Sequence, residues 1–172
     1  KINNDLSTID DEVLNRRLFA EATTLLVNKD KSLPIQDLAN KKIACVTAGI
    51  EEGSVFPNTL KKYTQVEHFS YSKDREEEIM AALGDYDYVI FGLYTSNASP
   101  WKSYRISDEI KRFIRRASLQ NKLIIDFFGN PYGLIDFPEA RKAEALLVSY
   151  QNNPDAESIG AQIIFGALGA KG

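Results

Sequence analysis

The chain has 172 residues, 44% of them apolar, which is one ordinary globular domain able to bury about two-thirds of its unfolded surface. Its 21 basic and 24 acidic residues are interspersed and leave a net charge of −3, so no basic stripe is offered to phosphates and nucleic-acid binding is not expected. No apolar stretch reaches the length of a membrane span, Lys1 opens no signal peptide, and a single cysteine can form no internal disulfide.

Residues 1–9 read as a linker that enters a helix from Asp10 to Asn28, with Leu14, Leu18, Ala22 and Leu25 on one face. Ile43 to Ala48 is a strand apolar on both faces, as buried parallel strands are, and its Cys45 reads as a small core side chain. A short helix over Pro57–Tyr63 and a strand over Val66–Ser70 follow. Asp74 and Glu77 have the spacing of a capping box before a helix that carries Ile79, Met80 and Leu83 and stops at Gly84. Tyr88 to Leu93 is the next strand. The polar segment Thr95–Arg105 then leads into an amphipathic helix with Ile106, Ile110, Phe113, Ile114 and Ala117 inward. That helix also carries Arg112, Arg115 and Arg116 beside Asp108 and Glu109, the pattern of a solvated face. Strands over Leu123–Phe128 and Glu144–Tyr150 complete the series. Asn153 is placed to cap a last helix, Pro154 suits its first position, and Asp155 and Glu157 put negative charge at its positive end. Strands alternating with helices predict an α/β fold: a flavodoxin-like three-layer sandwich, its mostly parallel sheet of five or six strands covered by helices on both faces.

Three segments carry a family resemblance. Arg16 to Asp30 followed by Ser32-Leu33-Pro34-Ile35, the loop Phe128-Gly129-Asn130-Pro131-Tyr132-Gly133-Leu134, and the close through Tyr150, Ile164-Phe165-Gly166 and Ala170-Lys171-Gly172 come in the order found in one family. Together they resemble the second, C-terminal α/β-sandwich domain of glycoside hydrolase family 3, in its bacterial β-N-acetylglucosaminidase-like branch. In that family an N-terminal barrel holds the nucleophile. The resemblance therefore implies an accessory domain excised from a longer protein, with the barrel of the same polypeptide as its partner and carbohydrate at the domain's edge. It further implies a parent that hydrolyses terminal β-linked N-acetylglucosamine or related β-glycosides, periplasmic or secreted.

Glycosidases work with two carboxyl groups, one acting as acid and one as nucleophile or base. Family members whose second domain supplies the acid carry a glutamate in the loop after the third of the strands above. Here that stretch reads Phe91-Gly92-Leu93-Tyr94-Thr95-Ser96-Asn97, without a carboxylate. This departure favours the branch in which the barrel carries its own acid/base. Glu51 and Glu52, in the loop after Ala48, are the remaining catalytic candidates, against the plain reading of solvated loop carboxylates.

Asp126 interrupts an apolar strand and must be hydrogen-bonded or shifted in pKa; tying down the Asn130-Pro131 loop is the structural role expected. His68 has no Gly-x-Ser-x-Gly elbow to serve, and one His with one Cys does not make a zinc site. No glycine fingerprint opens a helix, and Glu51 and Glu52 would repel a phosphate in their loop, so no cofactor is expected. Substrate or interdomain contacts are expected from Tyr94, Asn97, Trp101, Asn130, Tyr132, Asn152 and Asn153, because loops after parallel strands emerge on one side. Two other functions stay open: donation of a catalytic carboxylate from this domain, and a free-standing flavodoxin-like small-molecule module.

Overall fold

The computed structural model describes residues 9–50, 53–95 and 106–172. Its centre is one six-stranded sheet: β1 Thr24–Asn28, β2 Ile43–Ala48, β3 Val66–Ser70, β4 Tyr88–Tyr94, β5 Lys122–Phe128 and β6 Ala145–Val148. The strands lie in the order β1-β6-β5-β4-β2-β3, all parallel except β1, which runs antiparallel along β6. Five helices accompany them among the described residues: α1 Ile9–Ala22, α2 Phe56–Leu60, α3 Glu76–Leu83, α4 Asp108–Gln120 and α5 Pro154–Ile164. None is long and apolar enough to cross a membrane.

Strand periodicity divides the core in two. On one face Ala44, Val46, Phe91 and Ile125 pack with Ile79 and Leu83 of α3 and Phe113 and Ala117 of α4. On the other, Ile43, Cys45, Ile90 and Leu147 pack with Phe56 and Leu60 of α2 and Ile159 and Ile163 of α5. Residues i and i+2 of a strand share a face, so the near-continuous apolar runs of β2, β4 and β5 are what a doubly covered sheet requires. Local signals fix the helix ends. Ser107 Oγ accepts the Ile110 N–H at 3.3 Å, and Asn153 Oδ1 accepts the Asp155 N–H at 2.8 Å. Asn121 Nδ2 donates to the carbonyls of Leu83 and Tyr86, both at 2.8 Å, which ties the end of α3 to the start of β5.

Three expectations are corrected. The helix expected to reach Asn28 ends at Ala22, and Thr24-Leu25-Leu26-Val27-Asn28 forms β1. The β-branched Thr24 and Val27 suit a strand, and a free edge on β6 supplies the pairing that decides between the two states. Leu14 and Leu18, placed on one helical face with Ala22 and Leu25, are 53% and 59% exposed, α1 buries none of its residues, and Leu25 lies in β1. Finally, the capping box at Asp74 does not form. A 3-10 turn over Lys73–Arg75 precedes α3, and Glu77 instead receives two hydrogen bonds from Arg116, at 2.7 and 2.8 Å. Arg116 is thereby engaged, and Arg115 pairs with Glu139 at 3.1 Å, so this side of α4 is not simply solvated.

Candidate functional site

The chain leaves β2, visits the edge strand β3, and returns to build β4 on the other side of β2. This reversal of strand order puts a topological switch point at the carboxyl ends of β2 and β4, where doubly wound folds hold their ligands. The two ends approach closely. Gly49, the residue after β2, has φ +86°, and a Cβ there would lie 2.0 Å from the Tyr94 carbonyl oxygen, so only glycine fits. Beside the switch point a cavity of about 210 Å³ opens between Thr47, Ile50, Ser54, Asn58, His68 and Ser70. Thr47 Oγ1 and His68 Nε2 are 2.9 Å apart within it. Burial, then the positive charge of Lys61, lowers the His68 pKa, which favours a neutral imidazole at pH 7.

Under this edge lies a connected set of buried polar groups. Glu157, on the first turn of α5, is 2% exposed. Its Oε2 accepts Ser54 Oγ at 2.8 Å, the Val55 N–H at 2.7 Å and the Phe56 N–H at 2.9 Å. A carboxylate from a distant helix thereby satisfies the orphan donors that open α2. Ser54 gives its only proton to Glu157, so the Tyr94 hydroxyl, 2.7 Å away, donates to Ser54 Oγ. Burial raises the Tyr94 pKa strongly, so the phenol is neutral.

Asp126, in the middle of β5, is fully buried. Its Oδ1 accepts Ser149 Oγ at 2.7 Å, while Oδ2 has no hydrogen-bond partner among the described residues. Burial pushes its pKa up to about 7; the Ser149 bond lowers it and the charge of Glu157 raises it. Room for Oδ2 exists because residue 160 is glycine: a Cβ there would lie 1.8 Å from that oxygen. Asp126 thus anchors the residue after β6, not the Asn130-Pro131 loop expected of it.

β4, β5 and β6 are successive neighbours, so the loops after them share one edge. Tyr94, expected as a contact residue, is withdrawn from that edge: it is buried, and stacks on Phe128 with ring centroids 4.7 Å apart. Asn130 and Asn153 spend their side-chain oxygens on local caps, Asn130 on the Tyr132 N–H at 3.1 Å and Asn153 on α5. Tyr132 is 69% exposed, and Asn152 is exposed too. Glu51, Glu52, Asn97 and Trp101 lie outside the described residues. Next to Asn152, Tyr150 takes φ +62° and the Gln151 N–H bonds back to the Ser149 carbonyl at 2.7 Å, a tight three-residue turn at the edge. Among the described residues no group of three His, Cys, Asp or Glu could hold a metal ion.

In the sequence Glu157 shows only a dipole role on its own helix. Its burial was legible in the spacing Glu157, Gly160, Ala161, Ile164, the i, i+3, i+4, i+7 positions of one apolar face.

No family model matches the sequence, and no curated protein does. Solved structures do. A fungal multi-domain GH3 β-N-acetylglucosaminidase superposes with TM-score 0.69 and 25% identity, over 91% of this chain and 18% of its own. A family 3 β-N-acetylglucosaminidase from Paenibacillus sp. str. FPU-7 gives TM-score 0.74 and 18% identity, over 97% of this chain and 32% of its own. The β-glucosidase of Listeria innocua, in complex with glucose, gives TM-score 0.75 and 19% identity, over 96% and 26%. The chain thus spans a third or less of the length of each of these proteins. Its six-stranded, mostly parallel sandwich is the fold of the α/β domain of glycoside hydrolase family 3.

Proposed function

We propose that residues 10–172 are an accessory domain of a family 3 glycosidase, joined through residues 1–9 to a catalytic barrel that it braces. The observation that carries this reading is the acid-free stretch after β4. From Tyr88 to Ser107 the sequence holds no Asp or Glu, so the loop after β4 brings no carboxylic acid to a glycosidic oxygen. The buried carboxyl groups beneath the same edge are unsuited to the task, because Glu157 is consumed by three donors and Asp126 is sealed from solvent. A parent whose barrel carries its own acid/base is consistent with that arrangement. Terminal β-linked N-acetylglucosamine is then the preferred substrate, with related β-glycosides next. The exposed Tyr132 and Asn152, with Asn97 and Trp101 from the loop after β4, would face the barrel and wall one side of its cleft.

The test is hydrolysis of an aryl β-N-acetylglucosaminide by this chain alone and by the full-length protein. The chain alone should release no aglycone above the blank, and the full-length protein should turn over. Release by the chain alone that disappears in Glu51→Gln or Glu52→Gln would instead make this domain the donor of a catalytic carboxylate.

A further inference from the structure

Strand β3 closes one side of the sheet, and its outer edge is unpaired. The Tyr71 N–H bonds to the Thr47 carbonyl at 2.8 Å, so alternation turns the backbone of Glu67, Phe69 and Tyr71 toward β2. The N–H and C=O groups of Val66, His68 and Ser70 therefore point outward, and no backbone partner engages them among the described residues. Of the devices that protect such edges, β3 has no proline, no lysine and no bulge. A cavity of about 730 Å³ runs along it. Three consecutive residues, Val66, Glu67 and His68, line that cavity, although their side chains alternate between the two faces of the sheet. Only a space that wraps the rim of the strand touches all three.

The two flanks of this cavity differ in charge. On the face where Val66 packs, Lys61 follows the end of α2, and Lys41 and Lys42 lead into β2 at its amino end. None of these three lysines has an ion pair among the described residues. On the opposite face, where Phe69 packs, Glu67 accepts the Tyr86 hydroxyl, and the charges of Glu67 and Asp85 both bear on that hydroxyl. An added strand would send successive side chains to these two flanks in turn. Every second side chain would meet lysine, and those between would meet Glu67 and Tyr86.

We propose that the outer edge of β3 docks an extended segment of a partner protein as an additional strand, with Asp or Glu at alternate positions set against Lys41, Lys42 and Lys61. Backbone bonds to Val66, His68 and Ser70 supply affinity, and the lysines choose the sequence. A phosphate polymer would satisfy the lysines but leave the strand edge unpaired, so the edge favours a peptide. The site is independent of the accessory role. Lys41, Lys42 and Tyr86 precede β2 and β4, at the end of the sheet opposite the loops proposed to face a barrel.

The test is fluorescence anisotropy of a labelled eight-residue peptide of alternating glutamate and threonine, titrated with this chain. Saturable binding is expected with Kd from about 10 to about 500 μM, the weak class that suits a five-residue edge. Lys41→Glu combined with Lys61→Glu should weaken it about tenfold or more, and circular dichroism verifies the fold of that variant. Two altered peptides leave the protein untouched. One is N-methylated throughout, keeps its charges, donates no strand bonds and should not bind. The other carries lysine for each glutamate and should not bind either. In the complex the His68 and Ser70 amides should gain protection from hydrogen exchange. Absence of saturation by about 1 mM overturns the proposal. So does equal binding of either altered peptide, or tighter binding of polyphosphate without protection at His68 and Ser70, which would leave a plain anion surface.

Discussion

Glu157 and Phe56 are 101 residues apart, yet a single 2.9 Å hydrogen bond from the Phe56 N–H to Glu157 Oε2 joins α5 to the start of α2. The same oxygen accepts from Ser54 and Val55. Removing it leaves the Val55 N–H without that partner, the Phe56 N–H with only its 3.2 Å bond to Ser54 Oγ, and Ser54 with only the Tyr94 hydroxyl. Glu157→Ala should therefore cost about 2–4 kcal/mol in equilibrium unfolding, well above a generic surface substitution. Glu157→Gln keeps an acceptor and should cost about half as much. Equal, small effects from both would show that the bonds contribute little.

Asp126 makes stability depend on pH in an unusual direction. Its folded pKa is raised to about 7 from the ordinary value of 3.8, so the folded protein binds the proton more tightly than the unfolded chain. The stabilisation is full below the unfolded value and is lost as pH rises toward 7. Glu157, Ser149 and Tyr94 face the carboxyl group, and of these only the Glu157 charge adds to the penalty on ionisation. Asp126→Asn removes the titration while keeping an acceptor for Ser149. The variant should gain about 1–3 kcal/mol relative to the parent chain on passing from pH 4 to pH 8. Parallel stability curves for the two proteins across that range would refute the assignment.

Gly160 tests the same pocket from the other side. An alanine methyl 1.8 Å from Asp126 Oδ2 cannot be accommodated without moving the carboxyl group or α5. Gly160→Ala should destabilise by about 2–3 kcal/mol despite alanine's better helix propensity of about 1 kcal/mol. In an Asp126→Ala background the obstruction is gone, so the glycine substitution should then be nearly neutral or stabilising. The non-additivity, measured as a double-mutant cycle, is the diagnostic quantity.

Much of this architecture was legible from residue patterns, because the buried parallel strands β2, β4 and β5 are continuous apolar runs and the caps at Ser107 and Asn153 are local. The edge was less legible. β1 is a strand only because β6 offers it a partner, and no window around Thr24–Asn28 contains that information. The site divided along the same line. Loop placement follows from strand direction alone, so the shared edge of the loops after β4, β5 and β6 could be named in advance. Side-chain destinations could not. Tyr94 looks like a loop aromatic in sequence, but it is the last residue of β4 and its ring turns into the core, where Phe128 meets it. Ser54 and Glu157 carry no motif, and only the fold brings them together.

Tyr132 sits in a 3-10 turn, Pro131–Leu134, that is closed by its own N–H bond to Asn130 Oδ1 and therefore presents the ring on a fixed support. Leu26 and Ile135 are also exposed large apolar side chains, at 48% and 69%. A phenol ring held outward offers a broad apolar face and a polar tip, the combination that interfaces and sugar-stacking surfaces both use. Because Tyr132 contributes little to the core, Tyr132→Ala should change the unfolding free energy of this chain by less than about 0.5 kcal/mol. On the accessory-domain reading proposed above, the same substitution in the full-length protein, alone or with Trp101→Ala, should loosen the domain from the proposed barrel or raise KM, by about 1–2 kcal/mol in either measure. Limited proteolysis between the domains separates the first outcome, and KM with kcat held constant separates the second. A full-length variant indistinguishable from the parent in both would show that the loops after β5 and β6 face only water.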